Sequence, residues 1–349
     1  MPRIFIPRHV TTRSMSSFKK WFKIALGPRD IADYQRASQL LFQYDYYKDN
    51  NHIHASDDIL NDYNSLLLKQ DGFDLQANVQ ELILKQIIKM FTMLDTSGYN
   101  PNLLPLKKLQ SKSGKVLGID ETLKDNAINK SAEKYLLNNM GYILRCKKSN
   151  IPNAGYGLFV NNSQNINIIP KGTVIALMPG LVHLAEYTTK SKEYILSLLP
   201  DNDFHLMSRY DRIIIDGRTS NLTAKNPYAL AHLINHPMKN MKPNIMSLPF
   251  DFPQDPFGYN TFPEELRKFI PNKYNKPPTF FGSNDRSACM QTFVFITLND
   301  LIFNNNNTTT TTNNDDINDD DNNSIELLMD YRLDNNLKGI PDWYYDIEK

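Results

Sequence analysis

Cysteine is nearly absent: Cys146 and Cys289 are the two cysteines in 349 residues. That excludes a disulfide framework and every zinc module built on paired CxxC knuckles. The scarcity fits a reducing compartment. Long apolar runs are lacking too. None approaches the roughly 18 residues that a membrane span requires, and no signal-peptide apolar core stands near the start. Neither sign of charge dominates, with 39 Lys and Arg against 38 Asp and Glu, so a basic stripe along the whole chain for nucleic acid is not supported. The balance hides an asymmetry. Residues 1–29 carry seven bases and no acid, whereas 305–349 carry eleven acids and three bases.

The chain is long enough to bury a core without staples, and at about 150 residues per domain it corresponds to roughly two domains. Residues 1–29 form a basic arm with three open readings: a mitochondrial presequence, an arm that touches nucleic acid or an import carrier, or a solvated tail. Residues 30–135 read as helical. The clearest stripe is Val79, Leu82, Ile83, Ile87, Met90, Phe91 and Leu94, in three- and four-residue steps that describe one buried helix face, with Gly98 and Pro101 as its stop. A lysine-rich stretch at 107–115 reads as a solvated linker, and a further helix is expected over about 120–140.

From Tyr142 the texture changes. Short apolar runs at Ile143–Cys146, Gly157–Val160, Thr173–Met178, Arg212–Asp216 and Thr292–Leu298 are separated by Gly, Pro and Asn, as in strands. They do not alternate with long helices, which argues for a mostly β region over 136–349 and against a doubly wound sheet. Residues 304–323 are Asn, Thr and Asp with one Ile. Such a low-complexity tract cannot bury a core, and it reads as a disordered insertion in a surface loop, which chain statistics tolerate at low cost.

Three stretches of the β region carry chemistry when taken together. Gly155-Tyr156-Gly157 lets backbone approach a ligand closely, but it lacks the third glycine and the following helix of a dinucleotide fingerprint. Singly it is a turn. Leu233-Ile234-Asn235-His236-Pro237, with Pro243-Asn244 downstream, runs an apolar pair into Asn-His, where the histidine is either a structural residue or a ligand contact. Glu326-Leu327-Leu328-Met329-Asp330-Tyr331-Arg332 places apolar residues before an acid and a tyrosine, and singly it is an ordinary strand end.

In this order the three stretches resemble the SET domain of protein lysine methyltransferases, over the C-terminal 210 or so residues. Pro170 to Ile175 and Phe293 to Leu301 resemble that family's neighbouring strands, and Ile169 to Val182, Asn226-Pro227 and Phe262 to Asn272 extend the likeness. The resemblance implies a β-rich SET domain, a short-strand β-clip with a threaded C-terminal segment, preceded by an α-helical N-terminal region. It implies S-adenosylmethionine as cofactor, held by Gly155, Tyr156, Gly157, Asn235, His236 and Tyr331, with Asn244 joining them. Tyr331 would be the catalytic residue, beside the transferred methyl, and Asp330 its structural neighbour. The partner would be a protein with a substrate lysine, histone or non-histone, and no zinc.

The sequence also departs from the family. The Asn-His motif usually continues Ser-Cys-x-Pro-Asn; here Pro237-Met238 follow His236 and Pro243 comes three positions late. Met178 stands before Pro179-Gly180, where a tyrosine is often found. Trp343, Tyr344 and Tyr345 either line a lysine channel, where cation–π contact favours ammonium forms, or cap the core. Beside the enzyme stand two other readings: a SET-fold scaffold without turnover, and a nucleic-acid factor led by the basic arm, whose binding would depend steeply on salt. Nuclear, cytoplasmic and mitochondrial sites all stay open.

Overall fold

A computed structural model of the chain describes residues 27–101, 130–163, 166–188, 205–219, 226–253, 262–276, 289–303 and 324–332. Most of the basic arm, the lysine-rich stretch at 107–115, the tract at 304–323 and the aromatic tail with Trp343, Tyr344 and Tyr345 lie outside the described residues.

Four helices come first: α1 (Pro28–Asp49), α2 (Asp57–Leu67), α3 (Gly72–Thr96) and α4 (Lys130–Asn139). Pro28 opens α1 at a position whose N–H has no helical partner. Asp71 caps α3 by accepting from the Asp74 N–H at 2.7 Å. The predicted stripe on α3 is buried at Val79, Ile83, Ile87, Met90, Phe91 and Leu94, with Leu82 half-buried at its margin. Gly98, at φ +74°, follows the end of the helix.

The β region contains β1 (Tyr142–Lys148), β2 (Tyr156–Asn162), β3 (Ile168–Ile169), β4 (Val174–Leu177), β5 (Gly180–His183), the short α5 (Ala185–Thr188), β6 (Leu206–Ser208) and β7 (Ile214–Asp216). It continues with β8 (Ile245–Pro253), β9 (Asn272–Tyr274), β10 (Cys289–Thr297), β11 (Leu301–Ile302) and β12 (Ser324–Glu326). These strands make small sheets in the orders β1-β2-β12, β4-β10-β8, β11-β3 and β6-β7-β5-β9. All pairings are antiparallel except β5 with β9. The chain is thus β-rich in several small antiparallel sheets, after a helical N-terminal part. The long strand β8 is absent from the sequence expectations because Pro249 and Pro253 lie on it. It is an outer strand of its sheet, where a missing N–H is tolerated.

Three glutamines bind the helices to the sheets. Gln86 Nε2 donates to the Gly172 carbonyl at 3.0 Å, and its Oε1 accepts from the Val174 N–H at 2.9 Å. Gln80 does the same on β8, donating to the Pro249 carbonyl at 2.7 Å and accepting from the Asp251 N–H at 3.1 Å. Each amide supplies both partners that a strand edge needs, so buried backbone groups at the junction are paired. Gln76 donates to Tyr34 and Tyr210. Phe91 of α3 packs edge-on against Phe262 and Phe269 and stacks on Phe252. Helices and sheets therefore share one hydrophobic core, beside a small satellite cluster of Val182, Leu184 and Ile213.

Candidate functional site

The β1–β2 turn sets the first piece of the site. Its end is closed by the Ser149 N–H donating to the Gly155 carbonyl at 2.9 Å, and Gly155 takes φ +73°. Gly155 is exposed, and among the described residues no atom outside its chain neighbours lies within 4 Å of where its Cβ would stand. Gly157 is the opposite case. A Cβ there would lie 2.3 Å from Glu326 Oε1 and 3.0 Å from Asn235 Nδ2. The two glycines of one motif thus serve different ends: Gly155 a left-handed turn beside open space, Gly157 the close approach of two other motifs.

Asn235 follows the single helical turn Ala231–Leu233. Its Nδ2 donates to the Tyr156 carbonyl at 3.0 Å and to Glu326 Oε1 at 3.2 Å. Its carbonyl accepts from the Met329 N–H at 3.0 Å. Glu326 is the hub. Oε1 also accepts from Ser149 Oγ at 2.6 Å, and Oε2 accepts from the Asn150 N–H at 2.8 Å. A buried carboxylate satisfied by three donors holds its environment firmly.

Asn244 grips the same C-terminal segment from its other side. Its Nδ2 donates to the Glu326 carbonyl and its Oδ1 accepts from the Leu328 N–H, both at 2.8 Å. The Asn244 N–H donates to the Leu328 carbonyl at 3.0 Å. Isolated parallel bridges join Asn235 to Leu328 and Ile245 to Met329. Residues 326–329 therefore run between Asn235 and Asn244, the two ends of one loop.

His236 and Tyr331 complete the group. His236 is buried, and its Nδ1 accepts from the Tyr331 N–H at 3.2 Å. That assignment puts the ring proton on Nε2. The two rings lie 5.5 Å apart, centroid to centroid. The Tyr331 hydroxyl donates to the Ile234 carbonyl at 2.7 Å. Burial pushes this phenol well above its ordinary value of 10.0, and a backbone hydrogen bond at His236 pulls it only partly back. The hydroxyl is therefore a neutral donor at physiological pH. Asp330 stands off, 3.8 Å from His236 Nδ1, and accepts from the Arg332 N–H at 2.9 Å.

All six residues singled out in the sequence, Gly155, Tyr156, Gly157, Asn235, His236 and Tyr331, fall in this constellation, and Asn244 with them. Met178 does not join it: its carbonyl accepts from Asn272 Nδ2 at 3.0 Å and Thr292 Oγ1 at 3.1 Å, and its Cε lies beside Gly217. Sequence reasoning did not foresee Glu326 as the hub, Ile234 as the acceptor for Tyr331, or Ser149 and Asn150 as donors. Among the described residues no cluster of His, Cys, Asp and Glu is arranged to hold a metal ion, and no helix is long and apolar enough to cross a membrane.

No model of a known protein family matches the chain, and no curated protein matches it either.

Proposed function

We propose that the chain is a SET-type methyltransferase that moves a methyl group from S-adenosylmethionine to a lysine of a protein substrate. One observation carries the reading: three motifs far apart in sequence meet around Asn235, Glu326 and the Tyr331–His236 contact. On this reading the run of 326–329 between Asn235 and Asn244 is the threaded C-terminal segment of a β-clip. The stretches Ile169 to Val182 and Phe262 to Asn272 resemble those of SET domain-containing protein 9 within that family.

The cofactor would lie at the exposed turn of Gly155, where among the described residues no atom outside its chain neighbours stands within 4 Å of the Cβ position. Gly155, Tyr156 and Gly157 would lie along it, with Asn235 and His236 at its other end. When bound, S-adenosylmethionine supplies a methyl group activated on a sulfonium. A lysine amine has an ordinary pKa near 10.4, so it must shed its proton to solvent before it attacks. A desolvated site next to positive charge favours the neutral amine. Tyr331, kept protonated by burial, orients groups by hydrogen bonding and does not act as a base. The Ile234 carbonyl fixes that hydroxyl. Alignment of this kind supplies roughly 7–11 kcal/mol of a barrier. Asp330 serves the backbone of Arg332 and takes no proton from substrate.

A second reading, a SET-fold scaffold without turnover, is favoured by one fact. Asn235 Nδ2 donates to two protein acceptors, and the Tyr331 hydroxyl donates to a third. Transfer of tritiated methyl from S-adenosylmethionine to proteins of a cell extract separates the two. The enzyme reading expects label on lysine that disappears with Tyr331→Phe. Cofactor binding without label in any protein establishes the scaffold.

A further inference from the structure

The sequence motifs leave the helical region without a role, and one contact supplies it. Arg332, directly after Tyr331, forms a two-pronged ion pair with Asp33 of α1: Nη1 lies 2.5 Å from Oδ2 and Nη2 lies 2.9 Å from Oδ1. The side chains are 30% and 20% exposed, respectively, and the forked geometry sets the pair apart from ordinary surface ion pairs. Arg332 holds φ +51°, a left-handed conformation uncommon for a non-glycine residue. Two contacts engage it there: its N–H donates to Asp330 Oδ1 at 2.9 Å, and its guanidinium meets Asp33. The helix beneath Asp33 is anchored to β8 and α3 through its neighbour. The next residue, Tyr34, is buried, donates to the Pro249 carbonyl at 3.3 Å and accepts from Gln76 at 3.2 Å.

We infer that Asp33 is a positioning residue for Tyr331: through Arg332 it holds the segment after β12 so that the Tyr331 hydroxyl stays on the Ile234 carbonyl. Helix α1 is then part of the machinery of the site although it touches neither cofactor nor substrate. The catalytic half of this inference rests on the methyltransferase reading; the mechanical half does not.

The test uses the full chain as Asp33→Arg, Arg332→Asp and the double exchange of both, with Asp33→Asn as the mild variant should a reversal fail to fold. Amide hydrogen exchange is read over residues 327–332, cofactor affinity by calorimetry, and methyl transfer with the tritiated cofactor. Each single variant is expected to speed exchange of the Met329 and Tyr331 amides roughly tenfold or more and to slow methyl transfer, with S-adenosylmethionine affinity and the thermal midpoint little changed. The double exchange is expected to restore both the slow amide exchange and the transfer. Slower transfer at unchanged affinity and unchanged thermal midpoint is what a merely structural contact would not give. Unchanged exchange in the single variants, or no rescue in the double, overturns the clamp. If the wild-type chain binds no cofactor while exchange responds and is rescued, the clamp is supported and the methyltransferase reading alone falls.

Discussion

Gly157 and Glu326 occupy one space. A Cβ on residue 157 would stand 2.3 Å from Glu326 Oε1, the oxygen that also receives Ser149 and Asn235. Gly157→Ala therefore has to displace the hub of the site. The expected cost is about 2–3 kcal/mol in urea unfolding, in the range of overpacked interiors. Gly155→Ala meets no atom within 4 Å among the described residues beyond its chain neighbours, so the expected cost is the strain of a side chain at positive φ, about 1 kcal/mol. Equal costs at the two positions would contradict the division of labour between them.

Asn244 supplies both a donor and an acceptor to the C-terminal segment, on the Glu326 carbonyl and the Leu328 N–H. Asn244→Ala removes both and leaves buried backbone groups without those partners. A loss of about 2 kcal/mol is expected, together with faster exchange of the Leu328 amide. A loss confined to a few tenths, within the range of surface substitutions, would show that the segment is held from the Asn235 side alone.

Stability falls in acid through the histidines of the β5–β7 neighbourhood. Burial, with His205 adding to it, pushes His232 down from 6.5 to about 3. Burial also lowers His183, against the opposing pull of Asp216. A depressed pKa in the folded state means that the unfolded chain binds the proton first. The stability is complete above pH 6.5 and is lost as pH falls toward 3. At pH 5 the His232 share of the loss reaches about 2 kcal/mol. Urea unfolding at pH 7.5 and pH 5 of the wild-type chain and His232→Gln measures it: burial raises Asp45 to about 6, which opposes the loss equally in both, and the variant is expected to lose about 2 kcal/mol less than wild type on acidification. An unchanged difference in the variant would refute the assignment.

Much of this architecture was legible in the residues. The α3 stripe announced itself by period, and the five short apolar runs became β1, β2, β4, β7 and β10. The three motifs could be picked out by their combination and order, since singly the first reads as a turn and the last as an ordinary strand end. What escaped had physical reasons. Strand β8 carries two prolines, which argue against a strand until its place at the edge of a sheet is known. Glu326 reads as an ordinary strand residue because its three donors come from Ser149, Asn150 and Asn235, far away in sequence. No local pattern marks Asp33 and Arg332 as partners across 299 positions. The loop between His236 and Asn244 departs from the spacing of the family it resembles, and Asn244 nonetheless pairs with Glu326 and Leu328, a grip the sequence reading did not foresee.

The most direct measurement is calorimetric titration of the full chain with S-adenosylmethionine, alongside Asn235→Ala and Tyr331→Phe. The account predicts saturable one-site binding by the wild-type chain. Binding is lost in Asn235→Ala, because Tyr156 and Glu326 lose the amide that joins them. It is nearly unchanged in Tyr331→Phe, whose missing hydroxyl matters for transfer more than for affinity. A folded wild-type chain that shows no heat of binding at millimolar cofactor contradicts the methyltransferase reading outright.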